Sequence, residues 1–567
     1  MIIPTSPAVA TQPEPQELPA RAGGVLRWSA LGVAVTSAGG ITAATMLRRN
    51  GYGLADRASE DIFFRLYALH ERPFFVLLGI FALLTWFYAR TPPARPEDTA
   101  TARARPRVSP IAALWIGAAV VGVISWVGSY VVLHSFPFAM DEYNAVFQAK
   151  IFAAGRLTAP VPAQWQPFAP ALSPVFVTYF PDQHTWRSGY LPVYSAIRAL
   201  FSLAGADNLT NPLLGSLTVV MMAAVGRRLW PAMPQRTWLA VVFLATSSQF
   251  LFMSMSWYSM PAHLLLNLLW LWLYLRNDTL SLAVAPIVGV LALGLHNPFP
   301  HALFVAPFLI RALRQRRFGW LGYAAVVYGA GSLVWYSWLR ASSGYLQATG
   351  GLVGAFSLPG AWQVRIQALQ LSLVLSWQAP LVVILALVAV VRWRKLGTTE
   401  RDLAVGLVLT AAFFTLFPLT QGHGWGDRYI YSALGNLMIL AAVAGGDLAE
   451  EGLGMVRVGR LVAASTLVAL LIQVPLRAVQ VEHFVRPFAR AAEYAATRPE
   501  PAVIIYPDSS YYGRDLVRND PFLQHSPKIL SAPVLGDSGV RRLRAGFGSP
   551  VHQLRPAELA PFGIATF

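Results

Sequence analysis

Two adjacent carboxylates, Asp141 and Glu142, follow the apolar run 111–133, where a membrane-crossing chain would leave the bilayer. Ionisable groups at that boundary are costly and mark function, and a carboxylate there has the chemistry of a general base toward a hydroxyl. The same pair also suits the first turn of a surface helix, whose exposed amides favour acidic side chains. Two breaks between apolar runs carry further chemistry: His296-Asn297-Pro298-Phe299-Pro300-His301 and Gly422-His423-Gly424-Trp425-Gly426-Asp427-Arg428-Tyr429. Non-helical backbone at membrane depth survives only inside protein or along a cavity, so both breaks are expected to wall one. Arg428, next to a helix start, suits an anion such as a phosphate, or else snorkels toward head groups. A fourth group lies within 179–190 and holds Asp182, His184, Arg187 and Tyr190.

Metal chemistry has weaker grounds. His263, His296, His301 and His423 with a carboxylate have the donor types of a zinc site, but no pair has His-x-x-x-His spacing, and His296 and His301 equally suit a packed turn. No metal ligands are assigned; a divalent ion is conceivable without support, and no cofactor is required. The absence of cysteine excludes disulfides, thiolate zinc sites and cysteine nucleophiles. There is no Gly-x-x-x-x-Gly-Lys phosphate loop, so ATP-driven transport finds no support.

The elements that must position these groups are membrane helices. Of the 567 residues 55% are hydrophobic and 13% charged, with mean hydropathy +0.49. A soluble chain would carry about twice that charge fraction. The excess of 44 Lys+Arg over 27 Asp+Glu, a net +17, is explained by basic cytoplasmic loops without invoking nucleic acid. Apolar runs at 28–47, 74–89, 111–133, 209–229, 238–252, 261–275, 282–295, 302–313, 321–338, 380–391, 403–419, 429–444 and 461–476 predict roughly thirteen transmembrane helices. Residues 1–23 read as a disordered tail, and 24–110 as two N-terminal helices with a Pro/Arg linker. Arg227, Arg228 and Arg236, then Arg311, Arg314, Arg316 and Arg317, then Arg392, Arg394 and Lys395, then Arg457 and Arg460 fall on alternate loops. They share a side with the linker, which places Asp141 on the extracytoplasmic face. The loop holding Arg48, Arg49, Arg57, Arg65 and Arg72 runs against that assignment.

The long loops on Asp141's face are 134–208, 340–379 and the segment 478–567. Tyr143, Phe147, Ile151 and Ala154 recur at helical spacing and predict an amphipathic interfacial helix over 142–154, with a second over 191–203. Residues 502–506 and 528–530 read as buried strands, so 478–567 is expected to be a small extracytoplasmic α/β domain.

Four stretches carry a family resemblance. DEYNAVFQAKIFAAGRLTAP after a span resembles the first extracytoplasmic loop of the GT-C-fold glycosyltransferases, and family 39 above all, which includes the protein O-mannosyltransferases and the lipid A aminoarabinose transferase. SGYLPVYSAIRALFSLAG is similar to that family's second interfacial helix, GVLALGLHNPFPHALFVAPF to its helical break, and GWGDRYIYSALGN to its Arg-Tyr element. The likeness covers 111–477. It departs at His296-Asn297, where many relatives carry a basic residue, and at Tyr431-Ser432-Ala433, where a Pro is usual.

The resemblance implies an all-α polytopic fold and an inverting transfer of sugar from a polyprenyl-phosphate donor to an extracytoplasmic acceptor hydroxyl on a glycan, lipid or protein, in a bacterial-type inner membrane. Asp141 would be the base, with Glu142 orienting it or touching the sugar. Arg428, with His296, Asn297, His301, Lys150 and Arg187, would bind the donor phosphate. Tyr143, Asp182, His184, Tyr190, His263, His423, Trp425, Asp427 and Tyr429 would line the substrate cavity. A flippase of lipid-linked glycans or an oligosaccharide ligase is the alternative.

Overall fold

The computed structural model describes residues 17–50, 58–90, 109–342, 360–416, 421, 423–507, 511–547 and 550–564. The expected tail up to residue 16, nearly all of the Pro/Arg linker, residues 343–359 and Gly422 lie outside them. In chain order the main helices open with α1 (Glu17–Arg49), α2 (Ala58–His70), α3 (Arg72–Tyr88), α4 (Pro110–Val131), α5 (Met140–Ala153), α6 (Val193–Leu203) and α7 (Thr210–Leu229). Next come α8 (Pro234–Ala245), α9 (Ser248–Met255), α10 (Met260–Arg276), α11 (Thr279–Leu293), α12 (Phe299–Arg314) and α13 (Phe318–Ser342). The remainder are α14 (Ala361–Ser376), α15 (Pro380–Val391), α16 (Thr398–Leu416), α17 (Leu434–Leu448), α18 (Met455–Val468), α19 (Val474–Ala496) and α20 (Ala532–Phe547). Start signals are local: Ser109 accepts from the Ala112 amide ahead of Pro110, and Asp278 accepts from the Ser281 amide ahead of α11.

Among the described residues six helical stretches are long and apolar enough to cross a membrane, and counting three bent pairs as spans brings this to nine. The chain is a multi-pass membrane protein. The bent pairs are α2 with α3 (44°), α8 with α9 (56°) and α14 with α15 (113°). A bend frees backbone amides and carbonyls that lipid cannot satisfy. Here the bends satisfy one another. Glu71, between α2 and α3, accepts from Ser376 Oγ at 2.6 Å and Trp377 Nε1 at 3.3 Å at the α14–α15 bend. Gln249 in α9 donates its amide to the Trp377 carbonyl at 3.3 Å. Gln378 joins Ser247 Oγ at 2.6 Å and Gln249 Oε1 at 2.9 Å, and Gln249 Nε2 reaches the Asp427 carbonyl at 2.7 Å.

Several expectations are corrected. Residues 17–23, read as tail, are helical. Helix α14 occupies part of the expected 340–379 loop; its Gln and Arg residues obscured an apolar face buried at Ile366 and Leu373. Helix α5 does form, but it is not an interfacial amphipathic helix. Glu142, Asn144 and Gln148 are as buried as Phe147 and Ile151. Asn144 Nδ2 donates to the Met140 and Val175 carbonyls, and Gln148 bonds the Leu157 carbonyl and the Ser188 amide. The helix is enclosed, and α6, with Leu200 and Leu203 exposed, is the amphipathic one.

Two small sheets complete the fold. In the loop after α5, β1 (Ala159–Pro160), β2 (Val177–Phe180) and β3 (Thr185–Ser188) form an antiparallel sheet in the order β1-β3-β2. Near the C-terminus β4 (Ala502–Ile505), β5 (Lys528–Ser531) and β6 (His552–Leu554) are parallel in the order β5-β4-β6, with Val503 opposite Ile529 and His552. One apolar core joins the two: Phe147, Ile151, Trp165 and Trp186 pack with Ile504, Leu530 and Leu543.

The ion pair at the bends gives a stability test. Arg477 Nη2 lies 2.6 Å from Glu71, with side chains 1% and 5% exposed, and its guanidinium sits 3.5 Å over Phe74 and 4.0 Å over Trp377. Arg477→Met leaves a buried carboxylate unpaired and should cost about 3 kcal/mol or more, while adding Glu71→Leu should restore most of it. Thermal unfolding of the detergent-solubilised variants checks both; a double variant no better than the single contradicts the analysis.

Candidate active site

Asp141 sits in the first turn of α5, and Arg428 lies 287 residues away in the glycine-rich break before α17, yet Arg428 Nη1 is 2.8 Å from Asp141 Oδ2. On its other oxygen Asp141 accepts the Tyr190 hydroxyl at 2.5 Å. Burial alone would raise this carboxyl, but Arg428, His296 and the Tyr190 hydroxyl outweigh it and hold Asp141 below the ordinary carboxylate range. It is therefore ionised at neutral pH, and its side chain keeps 22% exposure.

Glu142, one residue on, behaves in the opposite way. It is 1% exposed, and its two oxygens accept the backbone amides of Ala139 at 2.9 Å and Trp257 at 2.9 Å. Burial pushes its carboxyl up to about 7 despite those amides. Both oxygens being occupied by backbone, Glu142 fixes the start of α5 to the 256–259 turn and does not face a substrate.

Arg428 is held from several sides. Its guanidinium also bonds the Gln421 carbonyl, its amide donates to Gln421 Oε1 at 2.7 Å, and the Tyr258 ring lies 4.6 Å below it. The loop around it is tight: Gly426 has φ +88°, and a Cβ there would stand 2.6 Å from the Gln249 side chain. Asp427 turns inward, accepting the Tyr429 amide at 3.0 Å and the Ile430 amide at 3.3 Å, and burial raises it to about 7. Arg428 is not at an α-helix start as expected: Tyr431–Ala433 is a 3-10 turn and α17 begins at Leu434.

Other expected residues divide into those near this pair and those away from it. His296 packs against Tyr190 with ring centroids 4.3 Å apart and the planes tilted by 41°, and Phe176 meets Tyr190 at 5.5 Å. Tyr143 is in α5 with its hydroxyl donated to the Asn519 carbonyl at 2.8 Å. His423 meets Tyr258 Oη at 3.2 Å and Phe138 at 4.7 Å; Trp425 is buried beside it, 5.5 Å between rings; Tyr429 stacks on Phe414 at 4.4 Å. His301 is not available to a phosphate, because Asn267 Oδ1 at 2.8 Å and Tyr328 Oη at 2.9 Å take both its nitrogens. Asn297 accepts the Phe299 amide at 3.2 Å, a turn-making role. His263 is buried in α10 with both ring nitrogens unpartnered among the described residues.

Lys150 is exposed at the far end of α5. Asp182 and His184 are exposed in the β2–β3 turn, His184 bonding Tyr179 at 3.3 Å. Arg187 stacks over Trp338 at 4.7 Å and Phe180 at 5.3 Å. Among the described residues no three His, Asp or Glu side chains gather as metal ligands. Sequence reasoning missed Tyr258, Gln421 and Gln249; the break Ser256-Trp257-Tyr258-Ser259 ahead of Pro261 was the available signal for the first.

No protein-family profile matches the chain, and no curated protein does. Solved structures do. The crystal structure of ArnT from Cupriavidus metallidurans bound to undecaprenyl phosphate is similar with a TM-score of 0.52 and 12% identity, covering 78% of this chain and 90% of that one. The apo state of the same protein gives 0.49 and 12% over 72% and 85%. At this identity the likeness is one of fold.

The carboxyls make opposite pH contributions. Glu142 and Asp427 stand above their unfolded values, so the unfolded chain gives up those protons first and stability falls as pH rises from about 4 to about 7. Asp141 is depressed, so its contribution is present above its unfolded value and is lost only as pH falls below about 4. Burial also lowers His296 and His423, which makes stability rise with pH over the same range, so the sign is read by difference: the midpoint of wild type minus that of Glu142→Gln should fall from about pH 4 to about pH 7, and a difference that climbs contradicts it.

Proposed function

We propose that this chain is a membrane glycosyltransferase that moves a sugar from a polyprenyl-phosphate donor to an acceptor hydroxyl, with inversion, on the extracytoplasmic face of a bacterial-type inner membrane. The observation that carries the reading is the Asp141–Arg428 pair, a base and a cation 287 residues apart in sequence brought to 2.8 Å. The fold likeness to a protein whose structure holds undecaprenyl phosphate supports the donor class.

In the reaction the acceptor oxygen bonds to the anomeric carbon, the bond from that carbon to the phosphate oxygen breaks, and the acceptor proton passes to Asp141. The departing polyprenyl phosphate takes the negative charge, which Arg428 stabilises. The pairing of Arg428 with Asp141 gives the sequence of events a logic. A donor phosphate competes for the guanidinium, and Asp141, relieved of its strongest positive neighbour, becomes a better base once donor is bound. Tyr190 stays on the carboxylate and keeps it aimed. His296, next to Tyr190, is a further donor to phosphate or sugar. Against the roughly thirteen crossings expected from the apolar runs, six to nine helical stretches among the described residues are long and apolar enough to span.

Asp141→Asn should abolish transfer from polyprenyl-phosphate sugars with the protein still folded, and Arg428→Ala should reduce it by about a hundredfold or more. Comparing the envelope glycans of cells with and without the gene, then of cells carrying each variant, measures this. Transfer retained by Asp141→Asn overturns the assignment, and retained movement of a lipid-linked glycan without any transfer would favour the flippase.

A further inference from the structure

Helices α18 and α19 form one helical stretch, Met455–Ala496, of 42 residues. At about 1.5 Å per residue it is about 63 Å long, while the hydrocarbon layer is about 30 Å thick, so about half of it stands outside the lipid. The residues mark where it leaves. Leu471, Ile472, Leu476 and Val479 are exposed large apolar side chains. Beyond Val479 the outward stripe changes character: His483, Arg486, Arg490, Glu493 and Thr497 recur at helical spacing. The opposite face stays apolar, with Phe484 and Phe488 packed on Phe138 at 4.9 and 5.0 Å between rings. The helix therefore emerges among the lipid head groups level with the start of α5, and its polar stripe is turned away from that contact.

A cavity of about 630 Å³ lies between this stripe and Pro561-Phe562-Gly563, where Phe562 meets Tyr494 at 5.4 Å between ring centroids. Its charges are ordered along the helix axis. Arg486, nearest the lipid, is shared with Glu482 at 3.5 Å. Arg490, one turn farther out, and Glu493 are both exposed, and among the described residues neither side chain has an ion pair or hydrogen bond, even with the other. Helix neighbours of opposite charge three residues apart ordinarily meet, and here they stand open to the cavity. Three residues advance the axis by about 4.5 Å. A ligand that satisfies both side chains carries an anion toward the membrane and, about 4.5 Å beyond it, a cation.

We propose that this cavity binds the head group of a membrane phospholipid that carries a phosphodiester and a primary ammonium, as phosphatidylethanolamine does, with its acyl chains laid along Leu476 and Val479. Arg490, with Arg486 behind it, takes the phosphate in charge-assisted hydrogen bonds, for which the planar guanidinium is suited. Glu493 accepts from the ammonium, whose N–H donors it can bond directly. The two methylenes between phosphate and ammonium span the interval between the two side chains. Phosphatidylglycerol offers the same phosphate but no cation for Glu493, and phosphatidylcholine offers a cation with no N–H to donate. The occupant is a bilayer lipid because the exposed apolar stripe runs straight into the cavity from the membrane side. The site is separate from the Asp141–Arg428 pair, since the Phe484 and Phe488 face of α19 lies between the cavity and Phe138.

The experiment uses full-length wild type, Arg490→Gln and Glu493→Gln, delipidated in detergent and titrated by native mass spectrometry with phosphatidylethanolamine, phosphatidylglycerol and phosphatidylcholine of identical acyl chains. Both positions are exposed and unpaired, so the substitutions leave the fold alone. Wild type should take up its first phosphatidylethanolamine about tenfold more tightly than either other lipid, the discrimination expected of charge-assisted hydrogen bonds. Arg490→Gln should weaken phosphatidylethanolamine by about tenfold, whereas Glu493→Gln should bind phosphatidylethanolamine and phosphatidylglycerol alike. Wild type that prefers phosphatidylglycerol, or that takes all three lipids equally, overturns the inference. So does a preference for phosphatidylethanolamine that survives both substitutions, because it then arises at another surface. None of these readouts depends on sugar transfer.

Discussion

A membrane interior offers nothing to an unpaired amide or carbonyl, and this protein bends three of its helix pairs inside that environment. The structure is shaped by how those bends are satisfied. Glu71, Ser247, Gln249, Ser376 and Gln378 pass hydrogen bonds from one bend to the next, and Gln249 Nε2 ends the chain of bonds on the Asp427 carbonyl. The Arg428 loop is therefore an end point of the polar network that makes the bends possible. A small cavity of about 40 Å³ between Glu71, Arg477, Gln421 and Trp425 marks where the two parts abut. Rigidity at the candidate site is inherited from packing well away from it.

Asp141 and Glu142 show how little a residue type says without its partners. They are the same kind of acid, one residue apart, and the surroundings give them opposite electrostatics. A guanidinium and a phenol keep the first ionised and partly open. Two backbone amides and full burial leave the second on the structural side, tying the start of α5 to the turn that carries Tyr258. Tyr258 then lies under Arg428, so the two acids act on the same cation, one directly and the other through a turn.

Much of the architecture was legible because lipid imposes a simple rule. The apolar runs are helices, the glycine-rich break is non-helical, and β4 and β5 lie where β-branched and apolar residues cluster between turn formers. The meeting of Asp141 with the Arg428 loop could be anticipated only through motif order, since nothing local links positions 287 apart. What stayed hidden were interactions with no periodic signature. The enclosure of α5 depends on Asn144 and Gln148 bonding carbonyls from distant loops. His301 looks like a ligand in the chain and is a satisfied core histidine in space. Helix α14 was masked by polar residues that face neighbours. Lys150, Asp182 and His184, chosen by type, lie on the surface because type says nothing of direction.

The shared core between the loop after α5 and the C-terminal sheet sets an order in time. A ribosome delivers α5 long before it delivers Arg518 or β5, and the helix meanwhile has a half-built apolar face and free carbonyls at Pro137 and Phe138. Completion of the site is thus among the last events of biogenesis, after the membrane helices have been placed. A chain stalled or clipped short of β5 would be inserted with that site unfinished.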